Sequence, residues 1–374
     1  MRNVAVCGSR VQELLPKNRS LATLKLKGYD VTVGLVETGD PDFDPEAAAT
    51  RSHVLIKVRG FSCNYRDLSL IISASGRVGE SSFYPFGSDA VGEVLAVGAD
   101  VTRLKPGDRV ISDNHYTGTP GAPEGVLTNH ASKEYQVLPQ ERLAKIPAGM
   151  PDETAAAFSI GAQTTYSMLR RLELEPGMKV LVTAAKSNTS LFAINALKRR
   201  GVEVYATSTS RRFEQELHEL GVRELIVVEP ETESFARNEQ MQKLLVRGVL
   251  FDRVIDPFFD LYLHQVIDLI ASGGRYITCG LHRQFNRGDG DETSQPVIGL
   301  SRVMLPAMMK NLQLIGNCIG YTEDLTAALK DYETGELSVC IDSVFTGDAV
   351  GSFLERTYNA QDRLGKVVYL YDER

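Results

Sequence analysis

One stretch of the sequence decides the fold: KVLVTAAKSNTSLFAINALKRRGVEVYAT, residues 179–207. The apolar run 180–182 predicts a strand, and a turn of small residues follows it. The stretch from about residue 189 to residue 200 predicts a helix, and the apolar run 202–206 predicts a second strand. A strand–turn–helix–strand unit of this length is typical of the dinucleotide-binding half of a doubly wound parallel sheet.

The turn after the first predicted strand lacks the glycines of the G-x-G-x-x-G pattern. Ala184, Ser187 and Ser190 stand where glycine would favour a close backbone approach to a pyrophosphate. These side chains are small enough to permit the approach, but they do not favour the positive φ that glycine adopts. The segment alone therefore leaves open a structural crossover that binds no nucleotide.

The end of the second predicted strand indicates which dinucleotide to expect. Residues 207–212, TSTSRR, offer hydroxyl groups and two guanidinium groups, and they contain no Asp or Glu for a ribose 2′-hydroxyl. Guanidinium groups match a phosphate with two parallel hydrogen bonds. If a dinucleotide binds here, we expect NADPH rather than NADH, with Ser208, Arg211 and Arg212 as the selectivity residues. The alternative is that the two arginines only begin a solvated helix.

Composition narrows the class of protein. The chain has 374 residues, of which 43% are hydrophobic and 24% charged, so it can bury a large core and is long for one domain. Its formal net charge is −7 without a face-sized cluster of Lys and Arg, which argues against a nucleic-acid partner. No run approaches about 18 apolar residues, so we expect no membrane partner and a cytoplasmic location. Five widely spaced cysteines and six scattered histidines show no ligand spacing, which predicts no metal.

Two patterns divide the chain. From residue 51 to about residue 146, short strands bounded by turns predict a compact β-barrel-like domain, and its irregular loop 113–130 is either a cover over a site or an idle insertion. From residue 152, helices alternate with apolar strands, as in a doubly wound parallel sheet. The strands expected there are 224–228, 251–256 and 275–280, before a helix at 325–332 and a last strand at 365–370 that returns to the first domain.

Short motifs along the chain together resemble those of the medium-chain dehydrogenase/reductase superfamily, and within it the zinc-free quinone and enoyl reductase branch. The motifs are NYRDL at 64–68, GSDAVGEV at 87–94, GADVTRLKPGDRV at 98–110, AAA at 155–157, GGRY at 273–276 and GKVV at 365–368. The resemblance implies an α/β fold class: a GroES-like β-barrel catalytic domain at 1–154 and 316–374, and a Rossmann doubly wound parallel sheet domain at 155–315. It also implies a nicotinamide in the cleft between the two domains.

The resemblance breaks down at the metal site. Zinc-dependent members carry a cysteine where this chain has Asn64, a Gly-His-Glu where it has residues 87–89, and a third ligand near Ile160. We find no zinc ligand at these positions, and Cys63 lies one residue from the first of them. A Zn²⁺ site needs about three protein ligands. The resemblance therefore favours hydride transfer from NADPH to the β-carbon of a polarised C=C bond, with a proton added at the α-carbon.

Position in the family pattern suggests the catalytic residues. Asn64 should lie beside the nicotinamide, where its amide donates to a substrate carbonyl as enolate charge develops. Tyr65 is the first candidate proton donor, and a packed core tyrosine is its alternative. The tyrosines that related reductases place a few positions later are replaced here by serines. The further candidates are Tyr84, His115, Tyr116 and His282.

The resemblance also implies how the cofactor is held. Thr164 should approach the nicotinamide, and the turn with the N-terminus of the following helix should receive the pyrophosphate. The residues expected to bind it are Ala185, Lys186, Ser187, Asn188 and Thr189, among which Lys186 and Asn188 supply donors in place of the absent glycines. Asp256, Gly280 and His282 follow sheet strands and should edge the nicotinamide crevice.

The sequence thus predicts an NADPH-dependent, zinc-independent reductase of a quinone, an α,β-unsaturated carbonyl, or a dehydroamino acid in a peptide. Two alternatives stay open: a non-catalytic member that keeps the fold for binding or regulation, and an alcohol dehydrogenase with an unrecognised metal site. The expected partners are a small-molecule or peptide substrate and, by resemblance, a second copy in a homodimer that pairs through the edge of the Rossmann sheet.

Overall fold

The computed structural model describes residues 1–15, 20–116, 124–229, 232–283 and 299–372, and it divides into two units. Unit 1 joins Met1–Ile160 to Val339–Arg374, and unit 2 is Gly161–Ser338. Neither chain end alone therefore forms the first unit, as expected for a domain built from both ends of the sequence.

Strands dominate the first part of the chain, and helices alternate with strands in the second. Residues 1–158 contain strands β1 (Arg2–Cys7), β2 (Ala22–Leu26), β3 (Tyr29–Glu37), β4 (His53–Ser62), β5 (Phe83–Pro85), β6 (Asp89–Val97), β7 (Arg109–Ser112), β8 (Tyr135–Pro139) and β9 (Leu143–Lys145), with helices α1 (Tyr65–Ser75) and α2 (Asp152–Ala155). Residues 159–338 contain helices α3 (Ser159–Leu172), α4 (Asn188–Leu197), α5 (Glu214–Leu220), α6 (Glu239–Val246), α7 (Phe259–Val266), α8 (Leu300–Met309) and α9 (Thr322–Glu333), with strands β10 (Lys179–Val182), β11 (Glu203–Ser208), β12 (Val222–Val227), β13 (Phe251–Asp256), β14 (Ile270–Thr278) and β15 (Gln313–Gly316). The last part contains β16 (Ile341–Phe345), α10 (Val350–Tyr358) and β17 (Lys366–Leu370). Single-turn 3₁₀ helices lie at Gln12–Leu14, Gln140–Arg142, Phe235–Arg237 and Ile267–Leu269.

Unit 1 is built on two sheets. The larger has the order β16-β17-β4-β6-β7-β9 with β8 also paired to β4, and the smaller has the order β2-β3-β1-β5. The C-terminal strand β17 runs antiparallel to β4, with Val368 opposite Ser62. The ring of Phe61 packs edge-on against Phe353 at 5.5 Å between centroids and tilted against Tyr369 at 5.4 Å. Aromatic packing therefore joins the two chain ends in one core.

Unit 2 contains one six-stranded parallel sheet with the order β12-β11-β10-β13-β14-β15. This is the strand order of a doubly wound dinucleotide-binding sheet, and the order reverses between β10 and β13. The strand–turn–helix–strand prediction for residues 179–207 is confirmed, although α4 ends at Leu197 rather than near residue 200. The carboxyl ends of β10 and β13 are therefore where a ligand is expected.

The boundary between the units differs from the predicted one. The predicted boundaries place residues 155–160 in the Rossmann domain and residues 316–338 in the catalytic domain, whereas the structure groups 155–160 with unit 1 and 316–338 with unit 2. Helix α9 packs on α3, because Arg170 forms an ion pair with Asp324 at 2.9 Å and the Tyr166 hydroxyl donates to Asp331 at 2.5 Å. The sequence pattern shows that a helix is amphipathic but not which surface it covers. None of the described helices combines the length with the apolar composition that a membrane span requires.

Candidate functional site

The turn between β10 and α4 closes without a glycine. Ala184 takes a left-handed backbone conformation with φ of 48°, which side chains other than glycine rarely adopt. The N–H of Ala185 donates to the carbonyl of Thr207 at 2.8 Å and ties the turn to the end of β11. The hydroxyl of Ser187 accepts from the N–H of Ser190 at 3.2 Å and caps α4. An alanine in a glycine-like conformation thus replaces one of the missing glycines.

The N-terminus of α4 offers donors for an anion. The first N–H groups of a helix have no acceptor inside the helix, and the helix dipole places partial positive charge there. Asn188 and Thr189 begin α4, and the side-chain Nδ2 of Asn188 is buried without a hydrogen-bond partner among the described residues. Leaving a buried amide unsatisfied is unfavourable, and an acceptor on a bound ligand would remove that cost. The residues of this turn therefore fit a dinucleotide.

Two positively charged side chains, Lys186 and Arg212, lie just past the end of β11. The ammonium of Lys186 lies 3.3 Å from the hydroxyl of Ser210. The guanidinium of Arg212 lies over the Phe213 ring, 5.5 Å from its centroid. Burial, and then the charge of Arg212, lower the pKa of Lys186. A residue of the turn therefore extends its charge to the region where the sequence predicts a 2′-phosphate.

The other predicted selectivity residues differ in their partners. Arg211 is exposed and forms an ion pair with Glu214 at 2.6 Å. Ser208 is buried, and its hydroxyl accepts from the N–H of Ser210 at 3.3 Å. The hydroxyl of Thr207 is buried and has no hydrogen-bond partner among the residues that the structure describes. The structure therefore shows an ion-pair partner for Arg211 that the sequence does not reveal.

Asp256 lies at the carboxyl end of β13 and is completely buried. Its carboxylate accepts from the hydroxyl of Thr183 at 2.7 Å, from the hydroxyl of Tyr276 at 2.5 Å and from the N–H of Phe258 at 2.9 Å. Burial raises the pKa of Asp256 to about 6, while these donors act in the opposite direction. Asp256 therefore ties three neighbouring strand ends together, and its acceptors are in use.

Three further predicted cofactor residues lie in unit 2. A Cβ at Gly280 would lie 2.5 Å from the carbonyl oxygen of Pro257, so the two strand ends approach too closely for a side chain. The N–H of His282 donates to Asp260 at 2.7 Å. Thr164 is buried on α3. Gly280 and His282 follow β14, at the edge where open α/β sheets place their ligands.

In unit 1, Asn64 caps α1 and lies at the centre of a polar network. Its N–H donates to Asp67 at 2.7 Å, and its side-chain amide donates to Ser88 at 3.0 Å and to Asp89 at 2.8 Å. The ammonium of Lys366 donates to Asn64 Oδ1 at 2.6 Å. Both amide hydrogens and the amide oxygen are thus already bonded. Donation from Asn64 to a substrate carbonyl stays a prediction, and it requires one of these hydrogen bonds to be exchanged.

An ion pair between Lys366 and Asp89 holds this network. Lys366 Nζ lies 3.1 Å from Asp89 Oδ2, and the two side chains are 2% and 0% exposed. The other oxygen of Asp89 accepts from the N–H of Ile160 at 2.8 Å. Charges this deeply buried are tolerated only when they are paired and hydrogen-bonded. The pair therefore fixes the orientation of the Asn64 amide. We name Asn64, Asp67, Ser88, Asp89 and Lys366 the Asn64 network.

The donor set in this region does not fit zinc. Asn64 and Ser88 are bonded to one another, and Ile160 has no ligand atom in its side chain. Cys63 is buried, and burial raises the pKa of its thiol well above the usual value. Among the described residues, no group of three or more His, Cys, Asp or Glu side chains is arranged to hold a metal ion.

The candidate proton donors lie on different elements. Tyr65 is half-buried and begins α1, and Tyr84 on β5 packs edge-on against His130 at 4.9 Å between centroids. Tyr116 is half-buried, and a Cβ at Gly125 would lie 2.9 Å from its hydroxyl. The predicted loop 113–130 includes residues 117–123, which lie outside the described residues. The roles of these tyrosines stay predictions.

The contribution of Lys366 and Asp89 was not predicted from the sequence. The available signal was a lysine at the start of the mostly apolar stretch GKVVYL, residues 365–370, and an aspartate directly before the apolar residues 90–92. A charged residue that is buried beside apolar residues of a strand needs a partner. The sequence could not show that the two partners are 277 positions apart, with Asp89 in β6 and Lys366 in β17.

Comparison with known proteins reveals several relatives. Residues 50–148 match the family model for the alcohol dehydrogenase GroES-like domain. The chain is 26% identical over 323 residues to the acryloyl-coenzyme A reductase of Metallosphaera sedula, and the match covers 79% of this chain and 84% of that protein. It is 28% identical over 251 residues to erythronolide synthase EryA2 of Saccharopolyspora erythraea. That match covers 67% of this chain, which spans only 6% of the length of the synthase.

The fold is also found among solved structures. A crystal structure of an NAD-dependent alcohol dehydrogenase is similar with a TM-score of 0.73 at 23% identity, and the match covers 99% of each chain. At this identity the likeness shows the fold alone. The β-rich unit 1 and the parallel sheet of unit 2 are thus elements of one known architecture.

Proposed function

The chain belongs to the medium-chain dehydrogenase/reductase superfamily, and from this premise we propose that it is an NADPH-dependent reductase of an activated C=C bond that uses no zinc. The observation that carries the proposal is that Asn64 and Ser88 stand where the resemblance places two zinc ligands, and that the two side chains are bonded to one another within the Asn64 network. Alcohol oxidation in this superfamily would need that metal as a Lewis acid. Reduction of a polarised double bond needs orientation and charge stabilisation instead.

The cofactor assignment has its own support in unit 2. The buried Nδ2 of Asn188 lacks a partner in the described chain and lies at the N-terminus of α4, which suits a pyrophosphate. Arg212 follows β11, and the ammonium of Lys186 reaches Ser210 in the same region. Residues 207–212 contain no acidic residue, which suits a 2′-phosphate. Held by the β10–α4 turn and by Arg212, NADPH would supply the hydride for the β-carbon, and a protein group would supply the proton for the α-carbon.

The Asn64 network has a defined task in this proposal. Lys366 and Asp89 hold the amide of Asn64 in one orientation at the N-terminus of α1. A substrate carbonyl that displaces the hydroxyl of Ser88 as acceptor would receive a donor that needs no reorientation. Tyr65, the next residue, is the proposed source of the proton. Asn64 would orient the substrate, and Tyr65 would complete the reduction.

The substrate class follows from the chemistry. A C=C bond accepts hydride when a carbonyl is conjugated to it, as in an enone, an unsaturated acyl thioester, a quinone or a dehydroamino acid in a peptide. The similarity to an acryloyl-coenzyme A reductase over 84% of that protein supports a conjugated acyl group. We propose an α,β-unsaturated carbonyl compound as the first substrate class to test, with quinones and dehydropeptides next.

A second copy of the chain is the proposed partner. Helix α8 exposes five apolar side chains: Leu300, Met304, Leu305, Met308 and Met309. Strand β15 is the last strand in the order of the parallel sheet, with Leu314 partly exposed. Exposed apolar patches and open strand edges favour association. A homodimer through α8 and β15 would cover both.

Light scattering coupled to size-exclusion chromatography tests the dimer. The wild type should elute as a dimer, and Leu305→Glu should shift it to a monomer. Val246→Glu is the matched control, because Val246 is 89% exposed but lies on α6. A monomeric wild type, or a dimer that survives Leu305→Glu, contradicts this interface.

Titration with NADPH and with NADH, followed by nicotinamide fluorescence, tests the enzymatic proposal. We expect the wild type to bind NADPH more tightly and to reduce an enone after dialysis against a metal chelator. Binding of neither nucleotide would favour the non-catalytic alternative. Activity on an alcohol that disappears with the chelator would favour an alcohol dehydrogenase.

A further inference from the structure

Lys186 belongs to the turn between β10 and α4, but its side chain extends from the turn toward the end of β11. Its Nζ lies 3.3 Å from the hydroxyl of Ser210, which is two residues past the end of β11. In dinucleotide-binding sheets, the group that follows the second strand meets the 2′ position of the adenosine ribose. The side chain of Lys186 therefore carries its charge from the pyrophosphate turn to the ribose end of the expected site.

The charge of Lys186 is not balanced by its surroundings. Burial and the nearby charge of Arg212 lower the pKa of Lys186, and no carboxylate of the described residues acts in the opposite direction. Arg211 differs, because Glu214 lies 2.6 Å from its guanidinium and neutralises it. A cation that is half-buried near a like charge is stabilised when an anion joins it. Bringing an anion to Lys186 would therefore be favourable, whereas Arg211 already has one.

We infer that Lys186 is a specificity-determining residue that binds the 2′-phosphate of NADPH together with Ser210 and Arg212. This inference rests on the proposed function, and it names a residue of the turn for a task that the sequence assigns to Ser208, Arg211 and Arg212. A 2′-phosphate carries close to two negative charges at neutral pH, so two cations and a hydroxyl match it. Arg211 contributes less, because it must first leave Glu214.

The competing assignment is that Lys186 binds the pyrophosphate, as its position in the turn suggests. The two assignments differ in one measurable property. NADPH and NADH share the pyrophosphate, whereas NADPH alone carries the 2′-phosphate. Removal of a pyrophosphate ligand weakens both nucleotides by the same factor. Removal of a 2′-phosphate ligand weakens NADPH and leaves NADH unchanged.

The experiment is titration of the full-length protein and of Lys186→Met with NADPH, NADH, 2′-AMP and 5′-AMP. Charge-assisted hydrogen bonds to a phosphate have the strength to give a loss of about 10- to 100-fold for NADPH in Lys186→Met. The same variant should bind NADH and 5′-AMP as the wild type does and should lose the preference for 2′-AMP. Lys186→Arg should keep most of the preference for NADPH, because it preserves the charge.

Two matched variants separate the inference from general effects of charge. Lys198→Met removes an exposed lysine that follows α4 and donates to the carbonyl of Glu219, and it should leave both affinities unchanged. Arg211→Ala should weaken NADPH less than Lys186→Met does. Equal weakening of NADPH and NADH by Lys186→Met would overturn the inference and leave the proposed function standing. A wild type that binds neither nucleotide would overturn the proposed function as well.

Discussion

The two polar centres of this protein differ in how their hydrogen bonds are used. In the Asn64 network of unit 1, each polar atom of the Asn64 side chain has a partner, and the charge of Lys366 is matched by Asp89. At the β10–α4 turn of unit 2, the Nδ2 of Asn188 is buried without a partner in the described chain, and Lys186 lies near a like charge. A closed network stabilises the fold and fixes an orientation, whereas an open donor and an unbalanced cation suit a ligand. The comparison predicts which substitutions affect stability and which affect binding.

The largest effect should come from opening the closed network. In Lys366→Met, Asp89 stays buried at 0% exposure without its counter-ion, and Asn64 Oδ1 loses its donor. Removal of one partner of a buried ion pair typically lowers stability by about 3–5 kcal/mol. Chemical denaturation should therefore show a loss of that size in the free energy of unfolding.

The matched control for Lys366→Met is Lys25→Met. Lys25 forms an ion pair with Asp30 at 3.0 Å, but the two side chains are 71% and 67% exposed. Exposed ion pairs contribute little, because water screens them. A similar loss in both variants would mean that burial of the Lys366–Asp89 pair has no special role, and the contrast between the two centres would fail.

The next largest effect on stability should come from the buried hydrogen-bond network of Asp256 in unit 2. The size of this effect depends on pH. Burial raises the pKa of Asp256 to about 6 in the folded state, against about 3.9 in an unfolded chain. The folded state therefore holds this proton more tightly, so the associated stability is present below about pH 4 and is lost as the pH rises to about 6. The shift corresponds to about 3 kcal/mol.

Asp256→Asn removes this titration. Denaturation at several pH values should show the stability of the wild type falling relative to the variant between about pH 4 and pH 6. Above pH 6 the difference should be constant. Parallel curves across this range would show that Asp256 does not titrate there, and the assignment of Asp256 to a closed, desolvated network would be wrong.

The fold was largely predictable from sequence, because its signals are local. The apolar run, the turn of small residues and the returning run in residues 179–207 specify β10, α4 and β11 without reference to the rest of the chain. The placement of residues 316–338 was not predictable. Helix α9 joins unit 2 through the contacts of Asp324 and Asp331 with α3, and such pairings leave no local pattern.

The candidate site was predictable by position but not by environment. The sequence places Asn64 at the start of α1 and Lys186 in the turn, and it gives no sign that Asn64 is fully bonded or that Lys186 extends to Ser210. It also gives no sign that Glu214 lies 2.6 Å from the guanidinium of Arg211. Hydrogen-bond partners depend on tertiary contacts between distant residues, so a single sequence cannot rank these candidates.

A smaller effect on stability should come from the helix cap that Ser187 forms in the turn itself. The hydroxyl of Ser187 caps α4 by accepting from the N–H of Ser190 at 3.2 Å. Loss of such a cap lowers stability by about 1 kcal/mol, so Ser187→Ala should show a loss of that size in chemical denaturation. Ser187→Asp, which keeps a capping acceptor, should retain the stability but weaken NADPH, since it adds negative charge beside the proposed pyrophosphate. Unchanged NADPH binding by Ser187→Asp would contradict the assignment of this turn.

The smallest effect on stability should come from Asn188→Ala, and it separates the two centres most directly. The Nδ2 of Asn188 has no hydrogen-bond partner among the described residues, so its removal breaks no bond of that atom within them and relieves a buried unsatisfied group. The free energy of unfolding without nucleotide should change by less than about 0.5 kcal/mol or rise slightly. The affinities for NADPH and NADH should both fall by about 10-fold, because a pyrophosphate acceptor would lose a donor worth about 1.4 kcal/mol.

The matched variant Asn64→Ala removes an amide with three partners. It should show the reverse pattern, which is a clear loss of stability before any nucleotide is added. If Asn188→Ala unfolds as easily as Asn64→Ala while nucleotide affinity is unchanged, then the open donor in unit 2 serves the fold and the turn does not hold the cofactor.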